Sequence, residues 1–442
     1  MTNKNIVDEF FGSKGEKIKE QIAQEKTAEH ISSGSFAGLG IAPKLLNILD
    51  QLNFKIPTPI QHKAIPSAIE GKDIVGIAQT GTGKTLAFGI PMIQRIMSSQ
   101  TARGLIVLPT RELALQVEET LQKIGRSLGL RTAVLIGGAS MWNQIRDIRR
   151  QPHIIVGTPG RIIDHLNQKN IHFQHVSVLV LDEADMMFDM GFALQLKEIL
   201  QSVPRERQTL LFSATMPDNI IKIATTHMKL PLRVEVAQQG TAAEKVEHEL
   251  FFVRKDQKIR LLEKLLLEYK GSVLVFSRTK HGAKKIARDV RNMGMTAAEI
   301  HSNRSLGQRK EALDGFKMGK YRVLVATDIA SRGIDVKGIE LVLNYDLPES
   351  AGDYVHRIGR TGRAGLTGKA ISFVTPETRH KIRDIERLVR QNIPVSQLPA
   401  DLPPARPSPK MEQDYVDPRR NQNRGRPASS RPFRRNYSRN YR

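Results

Sequence analysis

From about Phe36 the chain alternates short apolar runs with longer stretches of helical spacing. The runs are "DIVGIA" (73–78), "GLIVLP" (104–109), "TAVLIGG" (132–138), "HIIVGTP" (153–159), "VLVLD" (178–182) and "TLLFSAT" (209–215). Short apolar runs spaced by helices predict βαβ units and a parallel sheet. The pattern weakens in "VEVAQQGTAAEKV" (234–246) and then restarts. "KIRLLEKLLLEY" (258–269) predicts an amphipathic helix, and 272–277, 321–328, 340–346 and 370–374 predict strands. The expected organisation is an N-terminal extension (1–35), an α/β domain (36–233), a linker (234–245) and a second α/β domain (246–380). The Pro, Arg, Asn, Ser and Tyr of 395–442 cannot bury enough apolar area to offset ordering, so this tail is expected to be disordered. "MMFDMGF" (186–192) and Trp142 are expected to serve packing.

One run ends differently from the others. "VSVLVLDEADMMF" (176–188) closes an apolar strand on Asp182, Glu183 and Asp185. Acids suit a helix N-terminus, where unpaired N–H groups carry partial positive charge. They equally suit a metal site at the C-terminal edge of a parallel sheet, where open α/β folds bind ligands.

The chain of 442 residues has room for two or three domains, and its 40% hydrophobic content can build cores. It carries no apolar stretch of membrane-spanning length. The first residues lack an apolar core and carry acids but no arginine, which argues against secretory and import signals. With no cysteine, disulfides, cysteine-held zinc and thiol catalysis are excluded, and the expected location is cytoplasmic. The net charge of +23 points to a polyanionic partner. Nine arginines and no acid lie between Pro418 and Arg442, so +14 remains for the rest of the chain.

"AQTGTGKT" (78–85) follows one predicted strand and precedes a predicted helix, as a phosphate-binding loop requires. Gly81 and Gly83, with Thr80 and Thr82, let backbone N–H groups turn toward phosphate. Lys84 offers a point charge and Thr85 a hydroxyl for Mg²⁺. Ala78 departs from the usual glycine of that pattern. Such a loop needs an acid on a neighbouring strand to hold the metal, and Asp182 fits. Glu183 would orient or deprotonate the attacking water, leaving Asp185 to pair elsewhere.

With "PTRELALQ" (109–116), "GG" (137–138), "TPGR" (158–161), "SAT" (213–215), "LVFSRTK" (274–280), "VLVATDIASRGID" (323–335) and "YVHRIGRTGR" (354–363), the chain resembles a DEAD-box ATP-dependent RNA helicase. It is most similar to the bacterial RhlE-like subgroup. The resemblance covers about 36–375 and implies two tandem RecA-like P-loop domains, ATP and Mg²⁺ as cofactors, and RNA as partner. "FKIPTPIQ" (54–61) resembles an adenine-recognition element, with Gln61 matching adenine and Phe36 stacking on it. By the same resemblance Arg111, Gly137, Gly138, Thr158, Arg161, Arg278 and Thr327 contact RNA, chiefly its backbone. The resemblance further implies that Asp335 accepts a ribose hydroxyl, that Arg360 and Arg363 are arginine fingers, and that Ser213 and Thr215 link hydrolysis to strand separation, although a capping or hydrogen-bonding turn explains that serine and threonine equally well. Leu306 stands where the family usually has Gln, while Arg309 is kept. The implied activity is RNA-stimulated ATP hydrolysis coupled to local unwinding or ribonucleoprotein remodelling. The alternatives are an ATP-switched RNA clamp or annealing chaperone, and a DNA translocase.

Overall fold

The computed structural model describes residues 34–79, 81–236, 246–328, 336, 338–362 and 368–400. Thr80, Asp335 and Arg363, most of the expected linker, residues 1–33 and residues 401–442 lie outside the described residues.

Among the described residues, two parallel sheets of seven strands each carry the fold. Every strand pairing is parallel. In the first sheet the strands are β1 (Ile74–Ile77), β2 (Arg103–Val107), β3 (Thr132–Leu135), β4 (Ile154–Gly157), β5 (Val176–Leu181), β6 (Gln208–Ser213) and β7 (Leu232–Glu235). Their spatial order is β3-β4-β2-β5-β6-β1-β7. Two apolar layers cover the faces. Ile74, Val178, Leu210 and Phe212 face one layer, and Val75, Leu179, Leu181 and Leu211 face the other. This period of two, with both faces covered, explains why β5 is apolar at every position but Ser177.

The second sheet holds β8 (Val246–Phe252), β9 (Ser272–Phe276), β10 (Ala297–Ile300), β11 (Val323–Ala326), β12 (Ile339–Asn344), β13 (Gly368–Val374) and β14 (Val395–Ser396). Its order is β10-β11-β9-β12-β13-β8-β14. Packing here runs past residue 380, which corrects the expected boundary. Ile385, Val389 and Ile393 are buried against Val246, Leu250 and Tyr354. Val395 and Ser396 then pair with Leu250 and Phe251. The helix Lys381–Val389 puts its few apolar residues on one face, so it buries them despite a polar composition. The predicted onset of disorder at 395 is corrected likewise: those two residues satisfy the edge of β8.

The topology decides where chemistry can gather. In the first sheet β6 lies between β5 and β1. The C-terminal ends of β1, β6 and β5 therefore bring the phosphate loop, Ser213 and Asp182 side by side.

Candidate active site

Gly83 caps the helix Lys84–Met97 with φ 95°, a left-handed conformation open to glycine. A Cβ at this position would stand 2.3 Å from Gln61 Nε2. Gly81 is also left-handed, at φ 86°. Ala78 is not among the positive-φ residues, so alanine there carries no backbone strain. Its side chain is buried in the first apolar layer. The Lys84 ammonium folds back to donate to the Ala78 carbonyl at 3.2 Å. It also stands 3.5 Å from Asp182 and 3.8 Å from Glu183. Burial alone would lower this ammonium, but Asp182, Glu183 and Asp185 together hold it above the ordinary lysine value. The Thr82 hydroxyl donates to the Gln79 carbonyl at 2.7 Å, closing the loop on itself.

Across β6 the acids are buried. Burial pushes the Asp182 carboxyl up to about 6, against the opposing pull of Lys84. Glu183 has φ 53°, a left-handed conformation that a β-carbon disfavours. Strain of this kind concentrates at functional sites. It turns the carboxylate off the strand and starts the helix Ala184–Asp189. Asp185 pairs elsewhere, as expected. Its Oδ2 accepts from the Thr215 N–H at 2.9 Å and hydroxyl at 2.7 Å, and its own N–H donates to the Ser213 hydroxyl at 3.3 Å. The strand between nucleotide loop and acids is thus bonded directly to the acid cluster.

Two expected nucleotide contacts sit differently from their sequence reading. Gln61 is buried, with Nε2 donating to the Gly83 carbonyl at 2.9 Å and Oε1 accepting from the Thr58 N–H at 2.9 Å. In this state both ends of its amide brace the loop and the start of the helix Pro59–Ile69. Phe36 is 4% exposed within the first apolar layer. An isolated ring gains more from apolar burial than from water.

A second group lines the neighbouring strand ends. Arg111 opens the helix Arg111–Gly125 and lies against Gly137 and Gly138. A Cβ at Gly138, whose φ is 77°, would meet its guanidinium at 2.3 Å. Thr158 caps the helix Pro159–Asn167, and Arg161 on that helix donates to the Ala139 carbonyl at 3.2 Å. Gln144 braces the same loop from beneath, donating to the Ile136 carbonyl at 3.0 Å. Its Oε1 meets His165 Nε2 at 3.2 Å. Nothing in a local sequence pattern announces Gln144 or His165.

In the second lobe, Arg278, exposed at the end of β9, lies 3.4 Å from Glu349. Thr327 follows β11 and is half-buried. Arg360 is 2% exposed and donates from Nε to the His356 carbonyl at 3.2 Å. Arg357, three residues earlier, was not picked out by sequence. It pairs with Asp328 at 2.7 Å, donates to Asn344 Oδ1 at 3.0 Å, and lies over the Phe276 ring. Arg357 thus ties strand ends and a loop of the second lobe together.

Among the described residues the two lobes meet at the phosphate loop and at a buried ion pair. A methyl group at Gly359 would stand 3.9 Å from Gln79 Oε1, so the arginine turn faces the phosphate loop. Arg309 Nη2 lies 2.8 Å from Glu112 Oε2, with both side chains under one-tenth exposed and off hydrogen-bond alignment. Leu306, on the same helix as Arg309, packs against the first lobe's apolar layer. Trp142 corrects an expectation: it is 68% exposed and not packed. Its helix, Met141–Arg149, turns Gln144 inward, which leaves position 142 facing out.

A model of the DEAD/DEAH box helicase family matches residues 58–223, and one of the helicase conserved C-terminal domain matches 257–365. The chain is 42% identical over 379 residues to the ATP-dependent rRNA helicase RRP3 of Debaryomyces hansenii, covering 85% of this chain and 79% of that protein. It is 43% identical over 361 residues to the DEAD-box ATP-dependent RNA helicase CshA of Geobacillus kaustophilus, covering 81% and 77%. Among solved structures, S. cerevisiae Dbp5 bound to RNA and ADP BeF3 has a TM-score of 0.74 and 29% identity, covering 83% of this chain and 96% of that chain. Mss116p bound to ssRNA and AMP-PNP has a TM-score of 0.77 and 26% identity, covering 84% and 81%.

Proposed function

The chain belongs to the DEAD-box family of ATP-dependent RNA helicases, and we propose that it couples RNA-stimulated ATP hydrolysis to local unwinding of short RNA duplexes or remodelling of ribonucleoprotein. The observation that carries this reading is the placement of Gly359 opposite Gln79. A turn of the second lobe, one residue from the buried Arg360, stands at the phosphate loop of the first.

The residues present fit magnesium. Asp182 and Thr85 are hard oxygen donors, and among the described residues no cluster of three or more acids, histidines or cysteines forms a cage. That suits an ion held by one carboxylate, one hydroxyl and the substrate's own phosphates. Bound there, magnesium would neutralise charge on the β and γ oxygens. The Lys84 ammonium, now on the Ala78 carbonyl and the acids, would turn to the triphosphate. Glu183 would align and deprotonate the attacking water from its left-handed position. Gln61 would need to release Thr58 or Gly83 to read an adenine edge.

Arg360 and Arg363 of the second lobe would approach the γ-phosphate as the lobes close, and planar guanidinium groups suit its spread charge. RNA laid along Arg111, Gly137, Gly138, Thr158, Arg161, Arg278 and Thr327 would favour that closure by touching both lobes. These are backbone contacts and carry little sequence preference. The bond of Asp185 to Thr215 supports a link from the acid cluster to strand β6 and onward to RNA.

Steady-state ATPase with no nucleic acid, with single-stranded RNA and with single-stranded DNA tests the proposal. RNA should accelerate turnover strongly and DNA weakly. Equal turnover in all three would discard the coupling. RNA-stimulated turnover without strand displacement would identify an ATP-switched clamp instead.

A further inference from the structure

The helix Met141–Arg149 begins immediately after the loop of Gly137 and Gly138, with Ser140 as its cap. Its buried side is fixed to that loop through Gln144 and, behind it, His165. Its open side carries Trp142, 68% exposed, with Arg146, Arg149 and Arg150 also exposed. Positions four, seven and eight residues apart share one face of a helix, so the four side chains form a stripe. The Arg146 guanidinium lies over the Trp142 ring, 5.5 Å from its centre. Asp147 stands 3.8 Å from Arg146 and 3.7 Å from Arg150, both solvent-exposed pairs that hold little energy. The stripe keeps a net positive charge.

A large aromatic ring left in water costs hydrophobic free energy and marks a contact surface when polar or charged groups rim it. Here the rim is cationic, which excludes basic partners and favours a polyanion. The chain's overall charge of +23 agrees. A flat ring flanked by guanidinium groups matches the requirements of single-stranded nucleic acid: a platform for one base and charges for the adjoining phosphates. We infer that Trp142 is a base-stacking platform for single-stranded RNA leaving the Gly137–Gly138 loop, with Arg146 and Arg149 neutralising the adjoining phosphates. Arg146 would exchange the indole face for phosphate as the base arrives. This inference rests on the reading that the glycine loop grips the RNA backbone. It adds a base contact to that grip without adding a base-edge code, because every base presents a π face.

Trp142 is the single tryptophan of the chain, so its emission reports on this position alone. The probe is single-stranded oligouridylate of about 12 nucleotides, within the span of known strand-binding sites. Trp142 emission should fall as oligouridylate binds, saturating together with ATPase stimulation. Trp142→Ala should raise the RNA concentration for half-maximal stimulation by roughly 5- to 150-fold, the range of one base–aromatic stack. Turnover at saturating RNA and KM for ATP should stay within twofold. Trp142→Phe should recover most of the affinity, which a purely structural role would not require. Arg111→Ala, placed against the loop itself, separates the two readings. If Arg111→Ala weakens RNA while Trp142 emission and the Trp142→Ala affinity stay unchanged, the stacking platform is wrong and the grip stands. If Trp142 responds and Arg111→Ala does not, the ring meets RNA that the glycine loop does not hold, and the platform as placed here falls with the grip.

Discussion

Removing Arg309 is the sharpest perturbation of the contact between lobes. Its guanidinium lies 2.8 Å from Glu112, and the two side chains are 8% and 9% exposed. Burial raises the Glu112 carboxyl above its ordinary value even with Arg309 beside it, so desolvation outweighs attraction. Arg309→Ala leaves that carboxylate buried without its partner whenever the lobes dock. Breaking a buried pair from one side costs about 3–5 kcal/mol. The pair spans the two lobes, so its loss is felt where they dock. The carboxyl can also take up a proton, which caps the loss near the lower end. About 3 kcal/mol corresponds to roughly 100-fold in the closing equilibrium. The assay is single-turnover ATP hydrolysis at saturating RNA. Arg309→Ala should slow it by up to about 100-fold. Glu112→Leu with Arg309→Leu should recover most of the rate, because two apolar side chains leave no stranded charge. The pH dependence has a fixed sign. A carboxyl whose value rises on docking binds a proton more tightly when docked, so docking of the Arg309→Ala enzyme strengthens as pH falls and weakens as it rises. Independent, additive losses in the double-mutant cycle would show that the pair is not coupled in the working state, and the reasoning would fail.

Other outcomes follow from the same contacts. Glu183→Gln should lower hydrolysis by roughly 10²–10⁴-fold while ATP and RNA still bind, as measured by turnover and by equilibrium binding. Gly83→Ala puts a methyl group 2.3 Å from Gln61 Nε2 on a left-handed backbone; nucleotide affinity and Tm should both fall. Leu306→Gln removes half-buried apolar surface between the lobes, about 1 kcal/mol, and should raise the RNA concentration for half-maximal stimulation roughly fivefold. Truncation after Asp401 should leave ATPase turnover intact and flatten the salt dependence of RNA binding, since ten arginines are lost. Truncation after Pro394 should also lower Tm, because it deletes β14.

The parts of this molecule that depend on neighbouring residues were legible in the sequence. The phosphate loop declares itself by a strand, Gly81, Gly83, Lys84 and a helix within a dozen positions. The two sheets follow from runs buried on both faces. What escaped depends on contacts and backbone conformations that no sequence period encodes. Glu112 and Arg309 meet across lobes, and no periodicity connects them. Arg357 looks like its two neighbours in sequence, yet Asp328, Asn344 and Phe276 capture it for the core. Gln61 bears a polar amide suited to a base, but Thr58 and Gly83 occupy both of its ends. The left-handed turn at Glu183 has no signature, because nothing in the residue type favours it. Trp142 misled for a simple reason: size suggests burial, and only the inward turn of Gln144 reveals which face is left outside. β14 hid in a polar stretch, since two residues are too few to show alternation. The likeness to the RhlE-like subgroup rests on motif spacing and on a basic tail whose residues 401–442 lie outside the described residues. No described helix is long and apolar enough to cross a membrane.

The central claim is that the ATP site is completed from the second lobe. Its most direct measurement is a structure of the protein with single-stranded RNA and ADP–beryllium fluoride. Arg360 now donates to the His356 carbonyl at 3.2 Å. The account predicts that its guanidinium will exchange that carbonyl for the fluoride group in the γ position, at about 3 Å. A closed complex with both nucleotide and RNA in place, and Arg360 still turned to His356, would contradict it.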